Sequence, residues 1–412
     1  MRKVIIIGGG AAGLMAAISA SKENKKVVLL EKNDKLGKKI FITGKGRCNI
    51  TSACEPGEFL DNVVTNPRFM YSSFERFNNQ AMMNFMTDHG LKIKVERGQR
   101  VFPESDRSSD VIRVLKKECE KNGVNIRLNA HVTKILFDEQ KGFEAVVLEN
   151  GQKIEGDSLI LACGGNSYTS TGSNGEGYNL AKMLGHSIKD VEPSLVPFVM
   201  KEPWCKDLMG LTLKNVSIRV KDGKKMVYEG FGEFLFTHFG VSGPLVLTAS
   251  TRLGKHKKSL QEGKLKLFLD LKPSLTEEQL EKRFLREFDT YRNKNISNVM
   301  ESMLPKKMVN IFLAIASMEP DTKVRDITKK DRHRMIEFMK NLPMNIKGVR
   351  GFEEAIVTRG GVNTKEVDPK TMESKKVPGV YFAGEMLDVD GVTGGFNLQI
   401  AWSTGYTAGY FS

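Results

Sequence analysis

Short apolar runs separated by polar or helix-forming segments define the elements that the sequence predicts. Val4–Ile7 and Val27–Leu30 are apolar runs of strand length, and the Ala-rich segment Leu14–Ser21 between them favours a helix. This strand, helix and strand order is typical of the start of an α/β fold. Ser158–Ala162 and Val380–Ala383 are further apolar runs, and they predict two more buried strands.

Turn signals and helical periodicity divide the rest of the chain. Asn150-Gly151 and Asp222-Gly223 each lie between short apolar segments and predict two hairpins, the second with a strand at Met226–Tyr228. Other predicted strands are Val124–Leu128, Val132–Phe137, Phe234–His238 and Leu265–Leu271. The predicted helices are Phe69–His89, Ser109–Asn122, Asn179–Leu184, Thr276–Arg292, Lys306–Ala316, Lys329–Lys340 and Leu398–Gly409.

The turn after the first predicted strand is Gly8-Gly9-Gly10-Ala11-Ala12-Gly13, which has the pattern G-x-G-x-x-G. The first glycine allows the tight turn, the second lets the backbone approach a pyrophosphate, and the third lets the helix pack on the sheet. The N-terminus of that helix offers free N–H groups and a positive dipole end to phosphates. Glu31 ends the second strand, where a carboxylate can accept both ribose hydroxyls of an adenosine. The pattern predicts dinucleotide binding, and an acid at position 31 favours FAD or NAD over NADP.

The C-terminal segment Gly384–Asn397 favours a flavin over a nicotinamide. Glu385 follows a predicted strand, where it can bind ribityl hydroxyls, and a glycine-rich loop then leads into the last helix. The N-terminus of that helix can direct N–H groups at the N1/O2 edge of a flavin, which becomes anionic on reduction. No second G-x-G-x-x-G follows the first, so we expect no dedicated NAD(P)H domain.

The glycine-rich, basic segment Lys35–Asn49 follows the second strand directly. Such a loop can fold over the phosphates and reach the reactive end of the cofactor, because glycine removes bulk and the cations offset phosphate charge. We expect Arg47 and Asn49 to contact the isoalloxazine or a phosphate. Cys48 is either redox-active beside the flavin or simply packed in the loop, and the sequence leaves both interpretations open.

Length and composition indicate a multidomain protein with a sizeable core. The chain has 412 residues, which suggests two or three domains, and 40% of them are hydrophobic. No apolar run approaches the roughly 20 residues of a membrane span, and the chain enters a strand directly after Met1-Arg2-Lys3, so we expect no secretory signal. The five cysteines form no C-x-x-C pair. We therefore expect reduced thiols, no metal site and a cytoplasmic location.

Charge is spread unevenly along the chain. The net charge is +14, of which Val191–Arg350 carries +11. A basic block of this kind can meet phosphates, acidic substrates or RNA, or it can be a solvated basic face. Its clusters are Lys255–Lys258, Lys306-Lys307 and Lys329–Arg334. Pro193, Pro197 and Pro343 lie near both ends of this block, so we predict an insert with boundaries near Val191 and Asn345, with a β half followed by a helical half.

These motifs together resemble the HI0933-like family of FAD-binding flavoproteins, also called BaiN-type or the "aminoacetone oxidase family". The resemblance covers nearly the whole chain and rests on Gly8–Gly13, Thr43–Asn49, Ala162–Gly177, Phe236–Pro244 and Gly384–Asn397. It implies an α/β fold with a discontinuous, Rossmann-like FAD domain of the glutathione-reductase type, formed by residues 1–190 and 345–412. It also implies an inserted β-barrel-like domain at 191–274 and a small helical subdomain at 275–344.

The resemblance also implies which residues contact non-covalently bound FAD. They are Gly8, Gly10, Ala12, Gly13, Glu31, Lys32, Lys38, Thr43, Gly44, Gly46, Arg47, Asn49, Val132, Gly165, Gly384, Glu385, Gly394, Gly395, Phe396, Asn397 and Leu398. Some members of the family are associated with the reduction of conjugated double bonds in steroid-type substrates, and others with uridine reduction in ribosomal RNA.

We therefore expect an FAD-dependent reductase in which hydride passes from flavin N5 to a polarised C=C bond, with NAD(P)H as a transient donor. The candidate proton donors are His238 and Ser242, which match a family signature, and the candidate catalytic residues also include Arg47. His238 and Ser242 can equally serve to hold a strand–loop corner together. Two alternatives stay open: an FAD-dependent amine oxidase, and an RNA-directed flavoenzyme that reduces uridine in ribosomal RNA.

Overall fold

The computed structural model describes residues 1–138 and 140–412, without the side chain of Lys255. The chain forms two compact units, one made of Met1–Ser194 and Gly351–Ser412, the other of Leu195–Arg350. The chain passes into the second unit after Ser194 and returns to the first after Arg350, a few residues beyond the predicted insert boundaries near Val191 and Asn345. Val191 lies inside a strand of the first unit, and Asn345 lies inside a strand of the second.

The first unit is an α/β domain built from both ends of the chain. Numbered along the whole chain, its strands are β1 (Lys3–Ile7), β2 (Lys26–Leu30), β3 (Thr51–Ser52), β4 (Ile93–Glu96), β5 (Arg100–Pro103), β6 (Asn125–Arg127), β7 (Val132–Asp138), β8 (Gly142–Leu148), β9 (Lys153–Glu155), β10 (Ser158–Leu161), β11 (Ile188–Ser194), β18 (Val357–Val362) and β19 (Val380–Phe382). Its helices are α1 (Ala11–Lys22), α2 (Lys38–Ile42), α3 (Pro56–Asp61), α4 (Tyr71–Arg76), α5 (Asn79–Asp88), α6 (Ser108–Lys121), α7 (Glu176–Met183) and α15 (Phe396–Phe411).

A parallel sheet with the strand order β19-β10-β1-β2-β6 forms the centre of this unit. Its inner strands are apolar on both faces, and Ile5, Leu29 and Ile160 are fully buried. Smaller antiparallel sheets, β7-β8-β9, β3-β5-β4 and β11-β18, complete the unit. The predicted strands at both chain ends thus meet in one sheet.

Helices α1 and α15 pack against each other through small residues. A Cβ atom built on Gly405 would lie 2.3 Å from the carbonyl oxygen of Ala12, and one on Gly409 would lie 2.2 Å from that of Ala16. The absence of side chains at these two glycines therefore lets the helix backbones approach closely. The Ser19 hydroxyl also donates a hydrogen bond of 2.8 Å to the carbonyl of Tyr406.

The second unit combines a closed barrel with a group of helices. Its strands are β12 (Phe198–Met200), β13 (Thr212–Asp222), β14 (Lys225–Thr237), β15 (Gly240–Ser242), β16 (Leu265–Asp270) and β17 (Leu342–Val349), which close in the order β12-β15-β14-β13-β16-β17. Its helices are α8 (Trp204–Asp207), α9 (Pro244–Ser250), α10 (Lys257–Gln261), α11 (Glu277–Thr290), α12 (Ile296–Met300), α13 (Lys306–Ile315) and α14 (Lys329–Lys340).

The helices α11 to α14 lie between two neighbouring barrel strands in the sequence. β17 pairs with both β16 and β12, so the chain returns to the barrel after α14. Capping boxes begin two of these helices, Thr276 with Gln279 for α11 and Thr328 with Asp331 for α14. The barrel and these helices share one apolar core.

Three predicted elements, one helix and two strands, are wrong in detail. The predicted helix Phe69–His89 is interrupted after Arg76, because Asn78 has an extended backbone and its side chain accepts a hydrogen bond from Ala81 N to begin α5. The predicted strands Met226–Tyr228 and Phe234–His238 are parts of one long strand, β14, which ends at Thr237. None of the described helices is long and apolar enough to cross a membrane.

Candidate functional site

The carboxyl ends of four parallel strands bring the predicted site residues to one edge of the sheet. Gly8 follows β1, Glu31 follows β2, Ala162 follows β10, and Ala383-Gly384 follow β19. All of them line a cavity of about 500 Å³, whose lining residues belong to the first unit alone. Open α/β sheets bind their ligands in this position, where the strand order reverses beside β1.

The glycines of the first turn have distinct structural roles. Gly8 has a φ of +108°, and a Cβ atom there would lie 2.4 Å from the carbonyl oxygen of Ala162. A Cβ on Gly13 would lie 1.8 Å from the carbonyl oxygen of Gly8, so this glycine is required for helix packing. Gly10 differs, because a Cβ there would meet no protein atom within 4 Å. The backbone at Gly10 is therefore open to a ligand in the cavity.

Two helices begin at the cavity without a side-chain cap. Gly10 precedes α1 and Gly395 precedes α15, and neither has a side chain to accept the N–H groups of the first turn. Ala11, Asn397 and Leu398 from these first turns line the cavity. The two helix N-termini thus present N–H donors and positive dipole ends to a ligand.

Glu31 is buried at the end of β2 and already organises the loop around it. Its carboxylate accepts hydrogen bonds from Gly9 N at 2.7 Å and from Asn33 N at 2.8 Å. The Asn33 side-chain amide donates a further bond of 2.7 Å. Oε1 accepts both bonds from Asn33 and Oε2 accepts the bond from Gly9, so of the roughly four lone-pair sites one, on Oε2, remains for a ribose hydroxyl.

Glu385 forms the centre of a polar network on another wall of the cavity. Its carboxylate accepts hydrogen bonds from Ser167 Oγ at 2.6 Å and Thr358 N at 2.7 Å, and it forms an ion pair with Lys39 at 2.5 Å. Burial alone would raise the pKa of Glu385, but the charge of Lys39 and these hydrogen bonds outweigh it and lower the pKa.

The cavity brings together about half of the residues expected to contact FAD. Those that line it are Gly8, Gly10, Ala12, Glu31, Lys32, Lys38, Thr43, Val132, Gly384, Glu385, Asn397 and Leu398. Gly13, Gly44, Gly46, Arg47, Asn49, Gly165, Gly394, Gly395 and Phe396 are not among its lining residues. Gly395 among this second group is required for close packing, since a Cβ there would lie 2.4 Å from the carbonyl carbon of Thr51, and the contact of this group with FAD stays a prediction.

Arg47 lies in a network of ion pairs and remains only a predicted catalytic residue. Its guanidinium contacts Glu96 and lies 2.6 Å from Asp106, and it stacks 4.2 Å above the Phe102 ring. The two carboxylates raise the pKa of Arg47, chiefly through the hydrogen bond to Glu96. Cys48 beside it is fully buried, and burial raises the pKa of its thiol to about 12, so the sulfur is protonated at neutral pH.

His238 and Ser242 lie in the second unit, at the β14–β15 hairpin. Thr237 pairs with Gly240, which leaves His238 and Phe239 as the two-residue turn, and Ser242 pairs with Leu235. The His238 ring is exposed and packs edge-to-face on the Phe239 ring at 4.8 Å. Their role as proton donors stays a prediction.

The structure adds cavity residues that sequence reasoning does not single out. They include Asn33, Cys163, Ser173, Asn174 and Glu176, while Lys39, which also lines the cavity, lies in the basic loop expected to fold over the phosphates. Lys32, one of the expected cofactor contacts, donates hydrogen bonds to Asn174 Oδ1 at 3.0 Å and Glu176 Oε2 at 2.7 Å. The segment Ala162–Gly177 matches a family motif, but its sequence gives no signal of which of its side chains face the cavity.

The residues present fit FAD. The open backbone at Gly10 and the N-terminus of α1 match its pyrophosphate, and the N-terminus of α15 matches its reduced flavin edge. The carboxylates of Glu31 and Glu385 match its hydroxyl groups. The fold and this site define an FAD-dependent oxidoreductase with a Rossmann-type domain. The chain belongs to the HI0933-like family, because the family model described as "HI0933-like protein Rossmann domain" matches residues 2–411.

Characterised relatives align with the chain over almost its full length. It is 34% identical over 418 residues to the 3-dehydro-bile acid delta(4,6)-reductase of Clostridium scindens, covering 99% of this chain and 98% of the relative. It is 32% identical over 403 residues to the ribosomal RNA dihydrouridine synthase of Escherichia coli, covering 98% and 96% respectively. The fold is similar to that of the 3-ketosteroid delta1-dehydrogenase from Sterolibacterium denitrificans, with a TM-score of 0.53, 13% identity and 99% of both chains covered.

Proposed function

We propose that this protein reduces a C=C bond that is conjugated with a carbonyl group. The observation that carries the proposal is the chemistry shared by its full-length relatives, a delta(4,6)-reductase of a 3-dehydro-bile acid and a synthase of dihydrouridine. Reduction of a dienone and reduction of uridine both add hydrogen across a double bond conjugated with a carbonyl. The two substrates differ greatly in size, so the shared feature is the reaction.

Different residues of the chain would have different roles in such a reaction. FAD would supply the hydride chemistry when bound, and the N-termini of α1 and α15 would stabilise the negative charge of its pyrophosphate and reduced flavin edge. Glu31 and Glu385 would accept hydrogen bonds from its hydroxyl groups and so fix its position along the cavity. We keep His238 and Ser242 as candidate proton donors, because a serine or histidine can protonate the carbon that hydride does not reach.

NADH or NADPH is the proposed source of electrons. The sequence contains one G-x-G-x-x-G turn, so the donor would reduce the bound flavin during a transient encounter. Rapid anaerobic bleaching of the flavin absorption by NADH or NADPH supports this proposal. Bleaching by an amine, with no response to either nicotinamide, would instead support the oxidase alternative.

A direct test compares two substrates under identical conditions. The purified holoprotein is incubated anaerobically with NADH or NADPH and either a 3-oxo-4,6-diene steroid or protein-free ribosomal RNA. Mass spectrometry then looks for the gain of two hydrogens in the steroid or in a uridine nucleoside. A gain in either substrate supports C=C reduction and identifies the substrate class, whereas no gain in both, with the flavin reduced, contradicts the proposal.

Ribosomal RNA is the second candidate substrate, and the charge of the second unit favours it. Val191–Arg350 holds most of the net positive charge of the chain. Lys257, Lys258, Lys329 and Lys330 are exposed there. Within the same predicted clusters, Arg332 lies 2.8 Å from a Glu281 carboxylate oxygen. The predicted contribution of Lys255 rests on a side chain outside the described structure.

A further inference from the structure

The ion pair between Lys39 and Glu385 is a largely buried charge pair on the wall of the cofactor cavity. The side chains are 25% and 19% exposed, respectively, and both line the cavity. The Lys39 ammonium also donates a hydrogen bond to Ser167 Oγ, and that hydroxyl donates to the second oxygen of Glu385. Lysine, serine and carboxylate therefore close a ring that fixes the orientation of the carboxylate.

Besides Lys39, Glu385 accepts hydrogen bonds from two neutral donors, the Ser167 hydroxyl and Thr358 N. Tyr178 and Asp390 interact with Glu385, and burial raises the pKa of both, with the charge of Glu385 adding to the shift. The pKa of Asp388 is also raised by burial, while Arg359 acts on Asp388 and Asp390. Lys39 is thus a cation in direct contact with the Glu385 carboxylate, whose nearby acid Asp390 has a raised pKa.

Loss of this cation would change the chemistry of the carboxyl group. Burial disfavours the charged form of an acid, and the neighbouring Asp390 carboxyl group disfavours it further. Without an ammonium partner, Glu385 would take up a proton as the pH falls. A neutral carboxyl group is a weaker hydrogen-bond acceptor than a carboxylate, because charge-assisted bonds are the stronger ones.

We propose that Lys39 is a positioning residue for the cofactor, which holds Glu385 ionised and oriented as the acceptor of a hydroxyl group of FAD. The proposal rests on FAD binding and is independent of the substrate. Lys39 acts through Glu385, which distinguishes it from the adjacent Lys38. That residue also lines the cavity, but its ammonium pairs at 2.8 Å with Asp34, whose side chain is 60% exposed.

The test follows FAD release from the diluted holoprotein by flavin fluorescence between about pH 6 and pH 9, where a shifted carboxyl pKa becomes visible. In Lys39→Met we expect FAD affinity about tenfold to a hundredfold weaker at the acid end, as for loss of a charge-assisted hydrogen bond. Affinity should recover as the pH rises. Wild type, Lys38→Met and Lys39→Arg should show no such recovery, because Glu385 stays ionised in all three.

The variant Glu385→Gln separates positioning from a merely structural role of Lys39. Glu385→Gln should bind FAD weakly at every pH, and Lys39→Met combined with Glu385→Gln should be no weaker than Glu385→Gln alone. Three results would overturn the proposal. They are a loss of FAD affinity in Lys39→Met that does not depend on pH, the same pH profile in Lys38→Met, and additive losses of affinity in the double variant. Thermal unfolding of each variant identifies any variant that fails to fold. The comparison of FAD affinity between Glu385→Gln and the double variant then still tests the proposal.

Discussion

At the residue scale, a few carboxylates decide how the cofactor domain is held together and what it binds. Glu31 and Glu385 are both recognisable in the sequence, because each follows a predicted strand and precedes a glycine-rich or basic segment. Their hydrogen-bond partners are not recognisable there. Ser167 and Thr358, for example, lie 218 and 27 positions from Glu385. Motif spacing identifies such an acid, but only the fold brings its partners to it.

Replacement of Glu31 by alanine is expected to weaken FAD binding by about 1.5–3 kcal/mol, through loss of charge-assisted bonds to the ribose. The change also leaves the Gly9 and Asn33 donors without their acceptor, so the loop after β2 should loosen. The measurement is the FAD dissociation constant of the purified variant. Glu120→Ala on the exposed face of α6 is the control, and an unchanged constant in Glu31→Ala would show that its role is confined to the loop.

Glu366 gives a pH-dependent contribution to stability. Burial would raise its pKa, but hydrogen bonds from Ser187 and the Lys376 ammonium lower it to about 2. Because its folded pKa lies below the ordinary value of 4.5, the stabilisation is present above pH 4.5 and is lost as the pH falls towards 2.

The variant Glu366→Gln should therefore reduce the free energy of unfolding by about 2 kcal/mol at neutral pH, and the difference from wild type should shrink below about pH 4.5. The measurement is the urea unfolding transition of both proteins at several pH values. Glu155→Gln serves as the control, since that side chain is 75% exposed and pairs with Lys153 on the surface. A difference that stays constant down to low pH would contradict an electrostatic origin.

At the element scale, the contact between α1 and α15 depends on glycines that belong to none of the sequence motifs. Gly405→Ala is expected to destabilise the protein by about 1–3 kcal/mol, because its methyl group must displace the helix backbone at Ala12. Gly57→Ala is the matched control, since Gly57 lies in helix α3 and a Cβ there meets nothing within 4 Å. Urea unfolding of both variants tests the expectation, and equal stability would contradict it.

The elements that can be predicted are those whose signals are local. The turn at Gly8–Gly13, the hairpin at Asn150-Gly151 and the helices Lys306–Ala316 and Lys329–Lys340 are all recognisable from short windows of sequence. The errors occur where distant contacts decide the outcome. β14 runs through the polar stretch between Tyr228 and Phe234 because β13 pairs with it there, and nothing in the sequence of β14 itself indicates this continuity.

The same reason explains the displaced domain boundaries. Asn345 lies in β17, whose pairing with β12 and β16 extends the barrel to Val349. Prolines mark the vicinity of each crossing, but Pro193 and Pro343 lie within strands. Proline thus indicates that the chain changes course nearby, while hydrogen-bond pairing determines where each unit ends.

At the scale of the whole molecule, each unit has its own apolar core and its own charge. The first unit is completed only when the C-terminal segment adds β19 to the sheet and α15 to α1, so its two chain segments must meet before the cofactor cavity exists. The basic residues are concentrated in Val191–Arg350. Such a block can meet phosphates or RNA, or it can be a solvated basic face, and the two alternatives differ in how binding depends on salt.

We expect this basic unit to bind RNA, with an affinity that falls steeply with salt. Lysine contacts to phosphates release counterions, and with about four contacts the slope of log affinity against log salt concentration is near −3 to −4. A base must also be unstacked before it can be reduced, so a structured RNA with an exposed loop is the expected ligand. Filter binding of ribosomal RNA fragments at about 50 and 200 mM salt measures the slope.

Lys257→Ala with Lys258→Ala, and separately Lys329→Ala with Lys330→Ala, test which surface is used. Each pair that binds phosphates should weaken RNA binding and reduce the slope by about one for every phosphate that the variant no longer neutralises. Lys116→Ala with Lys117→Ala is the control, because these lysines are also exposed but lie on α6 of the first unit. If the control weakens binding as much as the test pairs, the attraction is non-specific. If no RNA binds at low salt while an enone is still reduced, the basic unit serves another purpose.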